Sequence, residues 1–185
     1  GCGLHPDLHL RSDGCSRAAL DKIRILIADD HPVVREGLSG MLAGQADFEV
    51  IGLAADGDTA VKLHTSLSPD VTLMDLRMPG QDGVEAIKAI NALQPSSRII
   101  VLTTYDSDAD ILRAVEAGAT GYLLKDAPRE ELFRAIRAAA RGDSVLAPAV
   151  AARLMSQMRA PAEENLSSRE IEVLDLGARG GSNNE

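Results

Sequence analysis

From position 22 onward, apolar residues arrive in two alternating periods. Ile23-Arg24-Ile25-Leu26-Ile27-Ala28 is a short apolar run closed by Asp29 and Asp30, the pattern of a buried strand. Val34, Leu38, Met41 and Leu42 then recur at i, i+4, i+7 and i+8, which predicts an amphipathic helix with Pro32 in its first turn. The alternation continues. Phe48 to Ala55 reads as a strand and Asp58 to Leu67 as a helix. Val71 to Met74 reads as a strand running into Asp75, with a helix marked by Val84, Ile87, Ile90 and Leu93. Ile99 to Leu102, Ala109 to Ala117, Gly121 to Leu124 and Arg129 to Ala140 complete the series as strand, helix, strand and helix. Five strands alternating with helices predict an α/β fold, a doubly wound five-stranded parallel sheet covered on both faces.

The flanks read differently. Residues 1–21 show no sustained period and several breakers, so they are expected to be a flexible extension. Pro148 to Met158 predicts a short helix, and Arg159 to Asn165 a polar linker. Leu166-Ser167-Ser168-Arg169-Glu170 then opens a new helix, with Ser167 and Glu170 spaced as a capping box. The expected division is an extension over 1–21, a first domain over 22–142, a helix and linker over 143–165, and the start of a second domain over 166–185.

Composition narrows the function. The chain has 185 residues, 45% hydrophobic and 25% charged, as ordinary globular proteins do. Net charge is -9, which argues against broad attraction to DNA or an anionic membrane. No apolar run approaches the ~20 residues of a membrane span, and no apolar signal-peptide core is present, so the cytoplasm is the expected location. The two cysteines, Cys2 and Cys15, make neither a disulfide framework nor a zinc spacing.

The chemistry gathers at one sheet edge. Asp29 and Asp30 end the first predicted strand, Asp75 the third, Thr103 the fourth and Lys125 the fifth. In a parallel sheet these ends share one edge, where ligands bind at the switch in strand order. Three carboxylates together repel one another unless a cation joins them, and hard oxygen donors suit Mg²⁺. A carboxylate can form an acyl phosphate, with a lysine and a hydroxyl to neutralise phosphoryl oxygens. A lone aspartate at a strand end is otherwise a cap or turn residue; five such groups at one edge point to a site.

Four motifs carry a resemblance. Leu26-Ile27-Ala28-Asp29-Asp30-His31, Leu73-Met74-Asp75-Leu76-Arg77-Met78-Pro79-Gly80, Val101-Leu102-Thr103-Thr104 and Ala117-Gly118-Ala119-Thr120-Gly121-Tyr122-Leu123-Leu124-Lys125 make residues 22–140 resemble the receiver domain of two-component response regulators, a flavodoxin/CheY-like fold. The resemblance implies that Asp75 is the phosphoacceptor. Asp29, Asp30, Asp75 and the backbone carbonyl of Arg77 would hold Mg²⁺, and Lys125 would pair with the phosphate. Thr103 and Tyr122 would be the switch pair. Arg77 and Tyr105, each two residues past a site group, would flank the path of hydrolytic water and slow phosphoryl loss. His31 reads as a helix-start residue rather than a ligand. Gly80 and Gly83 read as loop-shaping residues that tolerate positive φ.

Leu166 to Leu174, followed by Ala178-Arg179-Gly180-Gly181-Ser182-Asn183-Asn184-Glu185, is similar to the opening of a LuxR-type helix-turn-helix, which implies the NarL/FixJ class. The implied partners are a sensor histidine kinase, a second copy of the chain on phosphorylation, and DNA for a full-length parent, with no membrane. The recognition helix would lie past Glu185. From Pro148 onward four Arg face six acids, so the tail is not a basic footprint. Two other readings remain beside this one. A haloacid-dehalogenase-type phosphatase uses aspartyl phosphate, but its second acid would fall at position 77, where Arg stands. A docking module without DNA output would be recognised by a lack of DNA binding in an extended chain.

Overall fold

The computed structural model describes residues 22–104, 107–146, 150–152 and 155–156. The extension over 1–21, Tyr105, the linker and the helix-turn-helix opening lie outside the described residues, as does much of the expected helix over 148–158. The elements run β1 (Ile23–Ala28), α1 (Pro32–Ala43), β2 (Phe48–Ala54), α2 (Gly57–Leu67), β3 (Val71–Met74), α3 (Gly83–Leu93), β4 (Ile99–Thr103), α4 (Asp108–Glu116), β5 (Gly121–Leu124), α5 (Arg129–Ala140) and β6 (Val145–Leu146).

The strands form one parallel sheet in the order β2-β1-β3-β4-β5-β6. The expectation of five strands is corrected to six. β6 falls in the stretch read as helix and linker and pairs in register with β5, Gly121 with Val145 and Tyr122 with Leu146. Two residues carry no readable period, so this strand is defined by its partner rather than by its own sequence.

The continuous apolar runs of the central strands feed two cores. Met74, Ile99, Val101 and Tyr122 pack with Ile87, Ile90, Ile111 and Ala114 of α3 and α4. Their neighbours Leu73, Ile100, Leu102 and Leu123 pack with Leu38, Leu42, Phe133 and Ile136 of α1 and α5. Successive side chains point to opposite faces, and both faces are covered, so neither parity can be polar. Thr72 on β3 and Thr103 at the end of β4 are the exceptions, both fully buried.

The helices begin where the sequence offers caps. Asp56, Asp82 and Ser107 accept backbone N–H groups at the starts of α2, α3 and α4. α5 is tied to the start of β2 by Arg137, which grips Asp47 with two hydrogen bonds of 2.7 and 3.0 Å. Its guanidinium also lies 4.9 Å from the centre of the Phe48 ring. This pair holds the Asp47 carboxyl below, and the Arg137 guanidinium above, their ordinary pKa values.

Candidate functional site

The strand order switches between β1 and β3, since β2 lies outside β1 and β4 outside β3. The candidate residues sit just past these strand ends, and the backbone ladder continues into them. Asp29 N–H donates to Ala54, Asp75 N–H to Ala28 and Lys125 N–H to Thr103, at 3.0, 2.8 and 2.9 Å. The side chains are therefore fixed by the sheet rather than by mobile loops.

Asp29 and Asp75 are buried, at 2% and 5% exposure, and Asp30 is half-buried. Lys125 Nζ reaches both buried acids, 2.5 Å from Asp29 Oδ2 and 2.8 Å from Asp75 Oδ2. Two buried carboxylates without a cation would be strongly unfavourable, and the ammonium supplies one. Burial works against the charge on Lys125, but the hydrogen bonds to Asp29 and Asp75 and their charges outweigh it and raise its pKa above the ordinary lysine value. At neutral pH the lysine is an ammonium. The other Asp29 oxygen, Oδ1, accepts the His31 backbone N–H at 2.8 Å.

The acids also fit a divalent cation. One donor atom from each of Asp29, Asp30, His31 and Asp75 lies within 4.8 Å of the others. Asp30 Oδ1 is shielded from solvent and accepts no hydrogen bond among the described residues. A buried carboxylate oxygen without a donor needs an explanation, and a cation in the cluster provides one. Asp29, Asp30 and Asp75 would supply hard oxygen donors suited to Mg²⁺.

Thr103 closes β4 and is wholly buried; Tyr122 stands on β5, wholly buried in the core shared with α3 and α4. The Arg77 backbone lies in the loop after β3 and helps line an open cleft of about 520 Å³ with Asp30, Met78, Asp82, Asp110 and Arg113. Two ion pairs cross this cleft to α4, Arg77 to Asp110 at 3.5 Å and Arg113 to Asp82 at 2.9 Å. Sequence reasoning missed Asp82, Asp110 and Arg113. Asp82 carried a signal as a cap before Gly83, whereas pairings 31 and 33 residues apart carry none.

The two glycines after Asp75 divide. Gly80 has φ of +80°, as expected of a loop-shaping glycine. Gly83 does not hold a positive φ, so that expectation is corrected. It begins α3, where a Cβ would lie 2.1 Å from the Asp75 carbonyl oxygen. Close approach of two backbones, not left-handed geometry, requires glycine there.

A parallel sheet with an acid cluster and a lysine at its switch point defines a receiver of the two-component type. The chain belongs to the response regulator receiver domain family, which matches residues 25–137. It is 46% identical over 168 residues to the transcriptional regulatory protein LiaR of Bacillus subtilis, covering 88% of this chain and 80% of that one. It is 40% identical over 165 residues to the response regulator protein VraR of Staphylococcus aureus, covering 88% and 79%. Among solved structures, a LuxR-family two-component response regulator from an Aurantimonas species superposes with a TM-score of 0.70 at 35% identity, over 74% of this chain and 98% of that one. These relatives are regulators of the NarL/LuxR family.

Proposed function

We propose that this chain is the phosphorylation-controlled part of a transcription regulator, with Asp75 as the residue that accepts a phosphoryl group from a sensor histidine kinase. The observation that carries this reading is the Lys125 ammonium between two buried carboxylates, 2.8 Å from Asp75 Oδ2. Lys125 engages Oδ2, which leaves Oδ1 to attack phosphorus. As that P–O bond forms, the P–N bond to the kinase histidine breaks, and the histidine leaves as imidazole after taking up a proton. Mg²⁺ held by Asp29, Asp30, Asp75 and the Arg77 carbonyl would neutralise charge on the acids and on the phosphoryl oxygens. The protein's own part is to fix Asp75 on the sheet, to present the Lys125 ammonium to a phosphoryl oxygen, and to offer the Thr103 hydroxyl at the neighbouring strand end. It acts on no external substrate.

Residues 22–142 would be the receiver, 143–165 the connection and 166–185 the beginning of a DNA-binding domain. Phosphorylation would bias a two-state equilibrium read by Thr103 and Tyr122, and the change would favour a dimer through the α4 to α5 face or through α1 and α5. Relatives named as transcriptional and LuxR-family regulators support a DNA output. Among the described residues no helix is long and apolar enough to cross a membrane.

The test is intact-mass analysis of the chain after treatment with Mg²⁺ and acetyl phosphate, beside an Asp75→Ala control. One added phosphoryl group, stable in acid, labile in base and absent from the control, is expected. An adduct that persists in Asp75→Ala would sink the assignment, as would the lack of any adduct or beryllofluoride binding.

A further inference from the structure

His31 is the member of the acid cluster that the proposed chemistry leaves without a task. It stands at the N-cap position of α1, but its side chain makes no cap hydrogen bond; its backbone carbonyl receives the N–H groups of Val34 and Arg35 instead. The ring is thus not spent on the helix. Its Nδ1 lies 2.9 Å from Asp30 Oδ1 and 3.4 Å from Asp29 Oδ1. At such a distance a hydrogen bond to Asp30 would be expected, yet Asp30 Oδ1 accepts none. The ring nitrogen and the carboxylate oxygen are close without being aimed at each other.

That geometry has a simple cause if both are aimed at a third point. Two ligands at right angles around an ion, with bonds of about 2.1 Å, stand about 3.0 Å apart. The separations of 2.9 and 3.4 Å from Nδ1 to the two aspartate oxygens bracket this value. Asp75 also offers an oxygen within the same 4.8 Å sphere. The His31 side chain is 67% exposed, so it can turn onto an ion arriving from solvent without disturbing the core.

We propose that His31 Nδ1 is a direct ligand of the divalent ion held by Asp29, Asp30 and Asp75, and that it moves the site's preference from Mg²⁺ toward Mn²⁺ and the later first-row divalents. This rests on the reading of the acid cluster as a cation site. Carboxylates alone favour small hard ions. An imidazole adds a borderline donor that Mg²⁺ uses poorly and Mn²⁺, Co²⁺ and Ni²⁺ use progressively better. The receiver would then sense which divalent ion is available as well as accepting a phosphoryl group.

The experiment is pulsed electron paramagnetic resonance of Mn²⁺ bound to the whole unphosphorylated chain, with parallel titrations of Mn²⁺, Ni²⁺ and Mg²⁺. Nitrogen modulation from a bound imidazole is expected, and it should vanish in His31→Asn, whose side chain is also a good helix cap. In that variant, and again in His31→Gln, Mn²⁺ and Ni²⁺ affinity should fall by at least about tenfold, with Mg²⁺ affinity far less affected. Mn²⁺ bound without nitrogen modulation, or with modulation that survives His31→Asn, would overturn the His31 assignment and leave the carboxylate site standing. An ion that fails to bind, or whose binding is unchanged when Asp30 and Asp75 are both replaced by Ala, would remove the cation site and this inference together.

Discussion

The first residue of α3 presses against the backbone of the phosphoacceptor candidate: a Cβ on Gly83 would lie 2.1 Å from the Asp75 carbonyl oxygen and 2.7 Å from the Leu76 Cα. Both obstacles are main-chain atoms in a strand end, so neither can swing aside. Gly83→Ala should therefore push α3 and β3 apart, lowering stability in urea by about 3 kcal/mol and slowing phosphorylation of Asp75. Gly80→Ala makes a useful contrast. It meets nothing within 4 Å and suffers only from its φ of +80°, a cost of about 1–2 kcal/mol. If Gly80→Ala proved the more damaging of the two, the steric account of Gly83 would be wrong.

What was legible in the sequence was whatever depends on local period. β1, β3, β5 and α5 have the bounds that the apolar spacing predicts, because buried strands and amphipathic helices repeat within a few residues. The gathering of Asp29, Asp30, Asp75 and Lys125 was legible as well, because a parallel sheet brings its strand ends to one edge whatever the loops do. What could not be read was non-local. β6 is too short for a period, Gly83 is required by a backbone it meets only after folding, and Arg113 finds Asp82 across the cleft. The polar network around His64 is a further case.

His64 is buried on α2 among Thr72, Gln94 and Ser97. Ser97 Oγ donates its hydrogen to the Gln94 carbonyl at 2.6 Å, so toward His64 it can only accept. Nε2 therefore carries the ring proton, and Nδ1 accepts from the Thr72 hydroxyl at 2.9 Å. Burial lowers the His64 pKa below 6.5, against an opposing hydrogen bond with Gln94. The unfolded chain takes up a proton below about pH 6.5 that the folded chain refuses, so this group's contribution is intact above that pH and is lost as pH falls. Thermal melts of the wild type between pH 7 and pH 5 should show this loss. His64→Leu should be less stable at pH 7 by about 1–3 kcal/mol but flatter with pH. Parallel curves for the two proteins would refute the assignment.

Arg77 leans across the cleft toward α4, its guanidinium 3.5 Å from Asp110. Arg77 is exposed and Asp110 half-buried, so the pair adds little stability; the proposed role for this bulky cation is to hinder water on its way to a phosphoryl group on Asp75. Arg77→Ala combined with Tyr105→Ala should shorten the phosphorylated lifetime several-fold, as followed by intact mass over time. Asp110→Ala should shorten it less, because the guanidinium remains present but loses its tether. An unchanged lifetime in the double variant would dismiss the shielding role.

The remaining prediction concerns how a change at Asp75 leaves the receiver. Tyr122 is fully buried, and its backbone pairs in register with Leu146 of β6. Four residues later Val150 is 5% exposed and belongs to the same apolar cluster as Tyr122, together with Ile111 and Ala114 of α4. Leu146 packs against that cluster and Val145 against the opposite one, so β6 is seated on both faces of the sheet. The chain leaving the sheet is thus packed into the core that holds the candidate switch ring. Densely packed cores move between discrete arrangements rather than deforming smoothly, so a shift of the ring must be met by its neighbours. Val150→Ala removes part of that contact at a cost of about 1–3 kcal/mol, without touching Asp75, Lys125 or Thr103. It should leave acetyl-phosphate labelling intact. Hydrogen exchange should then separate the two proteins. In the wild type, beryllofluoride should alter protection at Tyr122, across β6 and into the segment that starts at Val150. In Val150→Ala the change should stop at β6. Equal changes beyond Leu146 in both proteins would show that the signal leaves the receiver by another route, with the α4 to α5 surface the next place to look.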